Sequence, residues 1–193
     1  MPWPRDHKAR TRRRIVQAAA AAFRERGISD AGVDAVMEAA GLTRGGFYAH
    51  FGSKDELVAE ALDQANAETL ALLDEAGEGA APRQRLHAVV DAYLSDLHAA
   101  HPERGCPIAA LGPEVARAGG KSRRRLAARL IERIEWMKAL LPGAGKAADL
   151  RVVPIQACMV GGLVLARAAG REKGAEILAS CRAFLHQAID RRQ

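Results

Sequence analysis

Large flat side chains are scarce: aromatic residues make up 4% of the 193-residue chain, with two Trp, two Tyr and four Phe. With abundant alanine and few β-branched runs, that composition points to helices throughout and away from a sheet protein. Cysteine is scarce as well. Cys106, Cys158 and Cys181 are odd in number and far apart, which fits neither a disulfide framework nor a zinc site and suits a reducing, cytoplasmic compartment. The N-terminal stretch has no apolar h-region, and no run of about eighteen apolar residues occurs, so neither an export signal nor a membrane span is expected. The histidines are scattered, no His/Cys/carboxylate group has ligand spacing, and no Gly-rich loop follows a strand. An enzyme, a metal site or a bound cofactor is therefore not expected.

What the chain does have is positive charge. A formal net charge of +6 suits a polyanionic partner, although many solvated helices are equally basic. The length allows one large or two small domains with a real hydrophobic core.

The most informative stretch is 32–51, GVDAVMEAAGLTRGGFYAHF, which reads as two short helices joined by a tight turn. Val33, Val36, Met37 and Ala40 recur at helical spacing, and Gly41 follows where a left-handed residue can stop the helix. Leu42 points back to the core and Thr43 is placed as an N-cap. The segment 44–50 makes about two turns, with Phe47 and Phe51 docking inward and Arg44, Tyr48 and His50 facing out. A short helix with a cation, a phenol and an imidazole on its outer side fits the DNA major groove. Arg44 would read base edges, Thr43 and Gly45 would let the backbone approach, and Tyr48, His50 and Lys54 would hold phosphates.

Residues 15–62 resemble the N-terminal domain of TetR-family (TetR/AcrR-type) transcriptional regulators. The first helix ends AAFRERG, and Ala40-Gly41-Leu42-Thr43 is followed by Phe47-Tyr48, His50-Phe51, Ser53-Lys54 and Leu57 in the family's spacing. The sequence departs from the family at Gly32, where many members have a capping Thr, and at Val36-Met37, where Ile-Ala is commoner. The resemblance implies an all-α chain: a three-helix DNA-binding domain at 8–55, with its helix-turn-helix at 32–51, and a helical effector-binding and dimerisation domain at 56–193. It implies a homodimer on double-stranded operator DNA, released by a small-molecule effector, with no membrane partner.

Taken in order, residues 1–7 read as a loose arm leading into Lys8, Arg10, Arg12, Arg13 and Arg14 ahead of the first helix. Such a basic cluster opposes the helix dipole, which favours a phosphate-contacting use, with Arg12 and Arg14 joining Thr43, Arg44, Gly45, Phe47, Tyr48, His50 and Lys54 in the DNA-contacting set; a solubilising tail is the alternative. Ser53 and Glu56 form a capping box opening a helix with Leu57, Ala61, Ala65 and Leu72 on one face. A break at 75–82 precedes helices expected at 83–100, 107–118, 121–141, 147–169 and 173–191. Leu86, Val89, Val90, Tyr93, Leu94 and Leu97 form the stripe of the first of these helices. Ile177, Cys181, Phe184, Leu185 and Ile189 form the last. The stretch 159–166 is apolar nearly all round, and its Gly161-Gly162 pair suits close helix approach, within one subunit or at a two-fold interface.

The sensor is less explicit. Cys106 lies near a helix start with His101 and Arg104 close in sequence, so it reads either as a reactive thiol or as a small apolar wall residue. Tyr93, Leu97, His98, Cys106, Trp136 and Met137 are candidates to line an effector pocket, against the plainer reading of core or rim. A thiol-responsive repressor acting through Cys106 and an activator are the alternative regulators. The cations Lys121, Arg123, Arg124, Arg125, Arg129 and Arg133 read as a solvated face.

Overall fold

Alanine-rich, strand-poor sequence translates directly into helix. In the computed structural model, which describes residues 5–141 and 146–190, no strand occurs among the described residues. α1 spans Arg5–Arg26. It begins inside the stretch read from sequence as a loose arm. Arg, Lys and Ala, all good helix formers, carry the helix back past Lys8, so the basic cluster rides on α1 instead of leading into it. Residues 1–4 lie outside the described residues. There follow α2 (Val33–Ala39), a 3₁₀ turn (Arg44–Ala49), α3 (Lys54–Ala76), α4 (Pro82–Tyr93), α5 (Asp96–Ala100) and a second 3₁₀ turn (Pro102–Arg104). The chain continues through α6 (Pro107–Ala118), α7 (Gly120–Leu140), α8 (Lys146–Ala169) and α9 (Arg171–Asp190).

The single helix expected over 83–100 is two. Leu94 leaves the helical region at φ −93°, ψ 35°, and the Ser95 hydroxyl accepts the His98 amide at 3.1 Å, starting α5 afresh. A capping serine thus overrides a continuous apolar stripe. The consequence is that Leu97, counted in that stripe, is 70% exposed. Leu72 and Phe184 also face outward, and Leu73 takes the buried position on α3.

The chain forms two compact units, one of residues 1–67 with 102–128 and the other of 68–101 with 129–193. In the first, Ile15, Ala19 and Phe23 of α1 pack with Val36 and Met37 of α2, Phe47 and Phe51, Leu57 and Leu62 of α3, and Leu111 and Val115 of α6 in one apolar cluster. In the second, α8 and α9 pair closely. A Cβ at Gly174 of α9 would lie 2.6 Å from the Ala166 carbonyl oxygen of α8, so only glycine allows that approach. Around this pair are buried Leu86, Val89, Val90 and Tyr93 of α4, Val152, Ile155, Met159 and Leu163 of α8, and Leu178, Leu185 and Ile189 of α9.

α8 holds no uninterrupted run of eighteen apolar residues, yet it is the described helix nearest to one. Leu150–Ala169, with mean hydropathy 1.7, is long and apolar enough to cross a membrane by length and composition, although Arg151, Gln156 and Arg167 interrupt it. It packs against α9, yet Leu150, Val153, Val164 and Leu165 on one side of it remain exposed.

Candidate nucleic-acid interface

The turn between α2 and the 3₁₀ segment is built as its sequence requires. Gly41 sits at φ +66°, its amide bonds to the Glu38 carbonyl at 2.8 Å, and the Leu42 amide reaches the Met37 carbonyl at 2.8 Å. These two bonds are the Schellman closure of α2, which needs a left-handed residue at that point. The second element is tighter than expected: Arg44–Ala49 is 3₁₀ instead of α-helical. Thr43 holds the N-cap position in an extended conformation, but its side chain caps nothing; the Gly46 amide bonds instead to the Thr43 carbonyl at 3.1 Å. Two glycines in so short a segment weaken the α-helical choice. At the start of α2, Gly32 likewise offers no side-chain cap.

The tight turn sets which side chains face out. Phe47 is buried and stacks on Phe51 with centroids 5.6 Å apart, so it anchors the segment and does not present itself to a ligand. Tyr48, next to it, is 76% exposed and packs edge-on against Phe47. The Arg44 side chain is 77% exposed and pairs with Asp34 Oδ2 at 2.9 Å, across the mouth of the turn. Nothing lies within 4 Å of where a Cβ on Gly45 would be, leaving the backbone open there. Arg44, Gly45 and Tyr48 therefore share one open surface with Thr43. His50 ends the segment half-buried. Burial, together with the nearby charges of Lys8, Arg12 and His7, holds its imidazole below the ordinary histidine range, and its Nδ1 has no hydrogen-bond partner.

Three of the sequence-predicted cations serve the frame of this surface. The Arg12 guanidinium donates to Glu56 Oε1 at 2.9 Å, to both carboxylate oxygens of Glu60 and to the His50 carbonyl, and stacks 4.1 Å over the Phe51 ring. It thereby ties α1 to α3 and to the end of the 3₁₀ segment. Arg14 Nη2 donates to the Ala40 carbonyl at 2.7 Å, satisfying an end-of-helix acceptor of α2. Lys54 Nζ donates to the Ile28 carbonyl in the loop before α2. Lys8, Arg10 and Arg13 of the same basic cluster are exposed on α1.

Residues missed in the sequence complete the frame. Glu114 of α6 accepts the Ile28 amide at 2.9 Å and the Ser29 amide and hydroxyl at 2.7 Å each. Burial raises its carboxyl pKa, but the Ser29 hydroxyl, the two amides and the Lys54 charge outweigh this and leave it below the usual range. Asp55 accepts the Lys121 and Ser122 amides at 2.8 and 3.0 Å, capping α7 from α3. The capping box at Ser53 forms as expected on one side, with the Glu56 amide 3.1 Å from Ser53 Oγ. Its return arm lands one residue earlier, on the Gly52 amide at 3.0 Å.

Residues 15–61 match the family described as bacterial regulatory proteins, tetR family. That stretch is thus similar to the tetR family. An uncharacterized HTH-type transcriptional regulator of Mycobacterium tuberculosis is 35% identical over 123 residues, 63% of this chain and 60% of that protein. The HTH-type transcriptional regulator TtgR of Pseudomonas putida is 41% identical over 59 residues, 31% of this chain and 28% of that one. The chain thus matches under two thirds of the length of these relatives. A TetR transcriptional regulator from Chloroflexus aurantiacus, known as a crystal structure, superposes with a TM-score of 0.81 and 27% identity over 97% of this chain and 98% of that one. The tetR-type all-α architecture therefore extends through the C-terminal helices.

The six candidate pocket residues are dispersed. Tyr93 and His98 are both buried and meet edge-on at 4.7 Å, with His98 Nδ1 donating to the Tyr93 carbonyl at 2.6 Å. Met137 is buried, and Trp136 lies under the Arg85 guanidinium at 5.9 Å. Leu97 lines an open cleft of about 670 Å³ with Asp96, Arg167, Arg171 and Leu178. Cys106 is fully buried at the head of α6 and belongs to the other compact unit.

Proposed function

We propose that the chain is a cytoplasmic, dimeric transcriptional repressor that binds a pseudo-palindromic operator and is released by a small-molecule effector. Residues 8–55 supply the DNA contacts and 56–193 the effector-binding and dimerising part, of which 102–128 pack in the first compact unit. The observation that carries the reading is the outward display of Arg44, Gly45 and Tyr48 from a turn whose inward side, Phe47 and Phe51, is locked in the core. Arg44 reads guanine edges once it exchanges Asp34 for the base, an exposed pair whose loss costs under about 1 kcal/mol. Thr43, Tyr48 and His50 meet phosphates. Lys8, Arg10 and Arg13 supply salt-dependent attraction, while Arg12, Arg14 and Lys54 hold the reader in shape.

The exposed stripe of Leu150, Val153, Val164 and Leu165 on α8, with Phe184 of α9, supports dimerisation, since a second copy would cover it. The thiol-responsive alternative finds little support. Cys106 is buried, and burial together with the neighbouring Cys181 thiol pushes Cys158 up to about 11, away from thiolate reactivity. Selection of binding sites from a random DNA pool tests the reading. It should enrich an inverted repeat whose half-sites lie roughly 34–36 Å apart or a multiple of that. No enriched sequence, or a single unpaired half-site, would contradict it.

A further inference from the structure

On the second unit, α4 and α9 meet through two histidine–carboxylate pairs arranged reciprocally. α4 carries His87 and Asp91, α9 carries His186 and Asp190, each pair one helical turn apart. His87 Nε2 faces Asp190 Oδ1 at 3.0 Å, and His186 Nε2 faces Asp91 Oδ1 at 2.8 Å. The rings stack at 4.8 Å with 28° between planes, which brings the two Nδ1 atoms to 2.5 Å. A carboxylate only accepts, so each Nε2 carries the hydrogen, and in a neutral imidazole the other nitrogen is then a lone pair. Two neutral rings would therefore point lone pairs at each other, an arrangement that is repulsive until a proton or a metal ion stands between them.

We propose that His87 Nδ1 and His186 Nδ1 are the protein ligands of a divalent first-row transition ion clipping α4 to α9, with water filling the remaining positions. An imidazole that binds a metal commonly donates its other N–H to a carboxylate, which fixes the tautomer and aims the ring, and both rings here are held that way. Neutral imidazole suits zinc, nickel and copper ions. Metal–nitrogen bonds of about 2.0–2.1 Å at a tetrahedral angle need the nitrogens about 3.3 Å apart, so the rings must part by less than 1 Å. They have room to do so, since the His87 and His186 side chains are 24% and 31% exposed. Arg83 also binds Asp190 Oδ1 at 2.6 Å, and Arg151 donates to the neighbouring Ala188 and Ile189 carbonyls, so two cations stand near the two carboxylates. Among the described residues no group of three or more His, Cys, Asp or Glu is arranged to hold a metal, so this is a two-residue clip and weaker than a structural zinc site. Nothing in the inference depends on DNA binding.

The test is calorimetric titration of tag-free, full-length, chelator-stripped protein with Ni²⁺ in a non-coordinating buffer. One Ni²⁺ per chain should bind, and the Cys158→Ser/Cys181→Ser variant should bind it equally well. Asp91→Asn should weaken binding about 10–100-fold by freeing the His186 ring, and His87→Gln or His186→Gln should weaken it at least as much. Thermal melts of these variants without metal check that they fold; Asp91 is exposed, so its variant keeps the test open should a histidine variant fail to fold. Absence of Ni²⁺ binding, binding indifferent to Asp91→Asn and the histidine changes, or binding lost with the thiols would overturn the site, leaving only a proton shared between the rings.

Discussion

Arg44 and Asp34 sit ten residues apart and meet across the α2 turn, so in the free protein the cation proposed to read bases already has an exposed partner. Arg44→Ala should lose about 1–3 kcal/mol on the specific site and little on random competitor DNA. Equal losses on both, measured by competition binding, would remove Arg44 from base readout. His50 gives a pH signature. Its pKa lies below the ordinary value, so the free protein holds it neutral at pH 7, and a phosphate beside it would raise that pKa and draw in a proton. Operator affinity should therefore rise as pH falls from about 7.5 toward 6. His50→Gln should flatten that rise, and an unchanged profile would mean that the ring meets no phosphate. Fold stability runs the other way, because the unfolded chain protonates this histidine first. The outward pointing of Arg44 and Tyr48 was legible from spacing alone, whereas His50, expected on the same outer side, is half-buried. The inward use of Arg12, Arg14 and Lys54 was not, since their acceptors at Glu60, Ala40 and Ile28 are 48, 26 and 26 residues away and are reached by long, flexible stems.

α6 is the element whose role was least visible. Its helix was predictable from Pro107 at the first turn and the apolar run that follows, but nothing in the sequence tells that Glu114 bonds the loop leading into α2. Glu114→Ala should leave the Ile28 and Ser29 amides without their acceptor and destabilise the protein by about 1–3 kcal/mol. The wild-type advantage over this variant should be present above the ordinary carboxylate range and vanish as pH falls through the lowered Glu114 pKa. Denaturant melts of both proteins at neutral and acid pH check this, and a pH-independent difference would assign the loss to packing instead. The break at Leu94–Ser95 and the 3₁₀ form of Arg44–Ala49 were missed for one reason. Apolar periodicity reports which side of an element is buried, whereas Ser95 capping and the Gly45-Gly46 pair decide where it stops and how tightly it winds.

For the molecule as a whole, the fold class was readable because alanine and helical periodicity agree over almost every segment, and the DNA-binding domain was readable because its turn chemistry is dense in typed positions. The pairing of residues 102–128 with 1–67, and of His87 with His186 across 99 positions, is a product of folding that no local pattern encodes. Phe184, placed in the apolar stripe of the last helix and found 61% exposed, is where the proposed two-fold interface would lie. Phe184→Glu should shift sedimentation from dimer to monomer and weaken operator binding with it; a variant that stays dimeric would place the interface elsewhere. The central claim, that the open surface of Arg44, Gly45 and Tyr48 reads a specific DNA sequence, is tested most directly by fluorescence anisotropy of the purified protein on its own upstream intergenic DNA. With excess random competitor at near-physiological salt, the prediction is tight, competitor-resistant binding with two protomers per site. Weak binding that competitor abolishes, for this DNA and for any sequence enriched from a random pool, would contradict it.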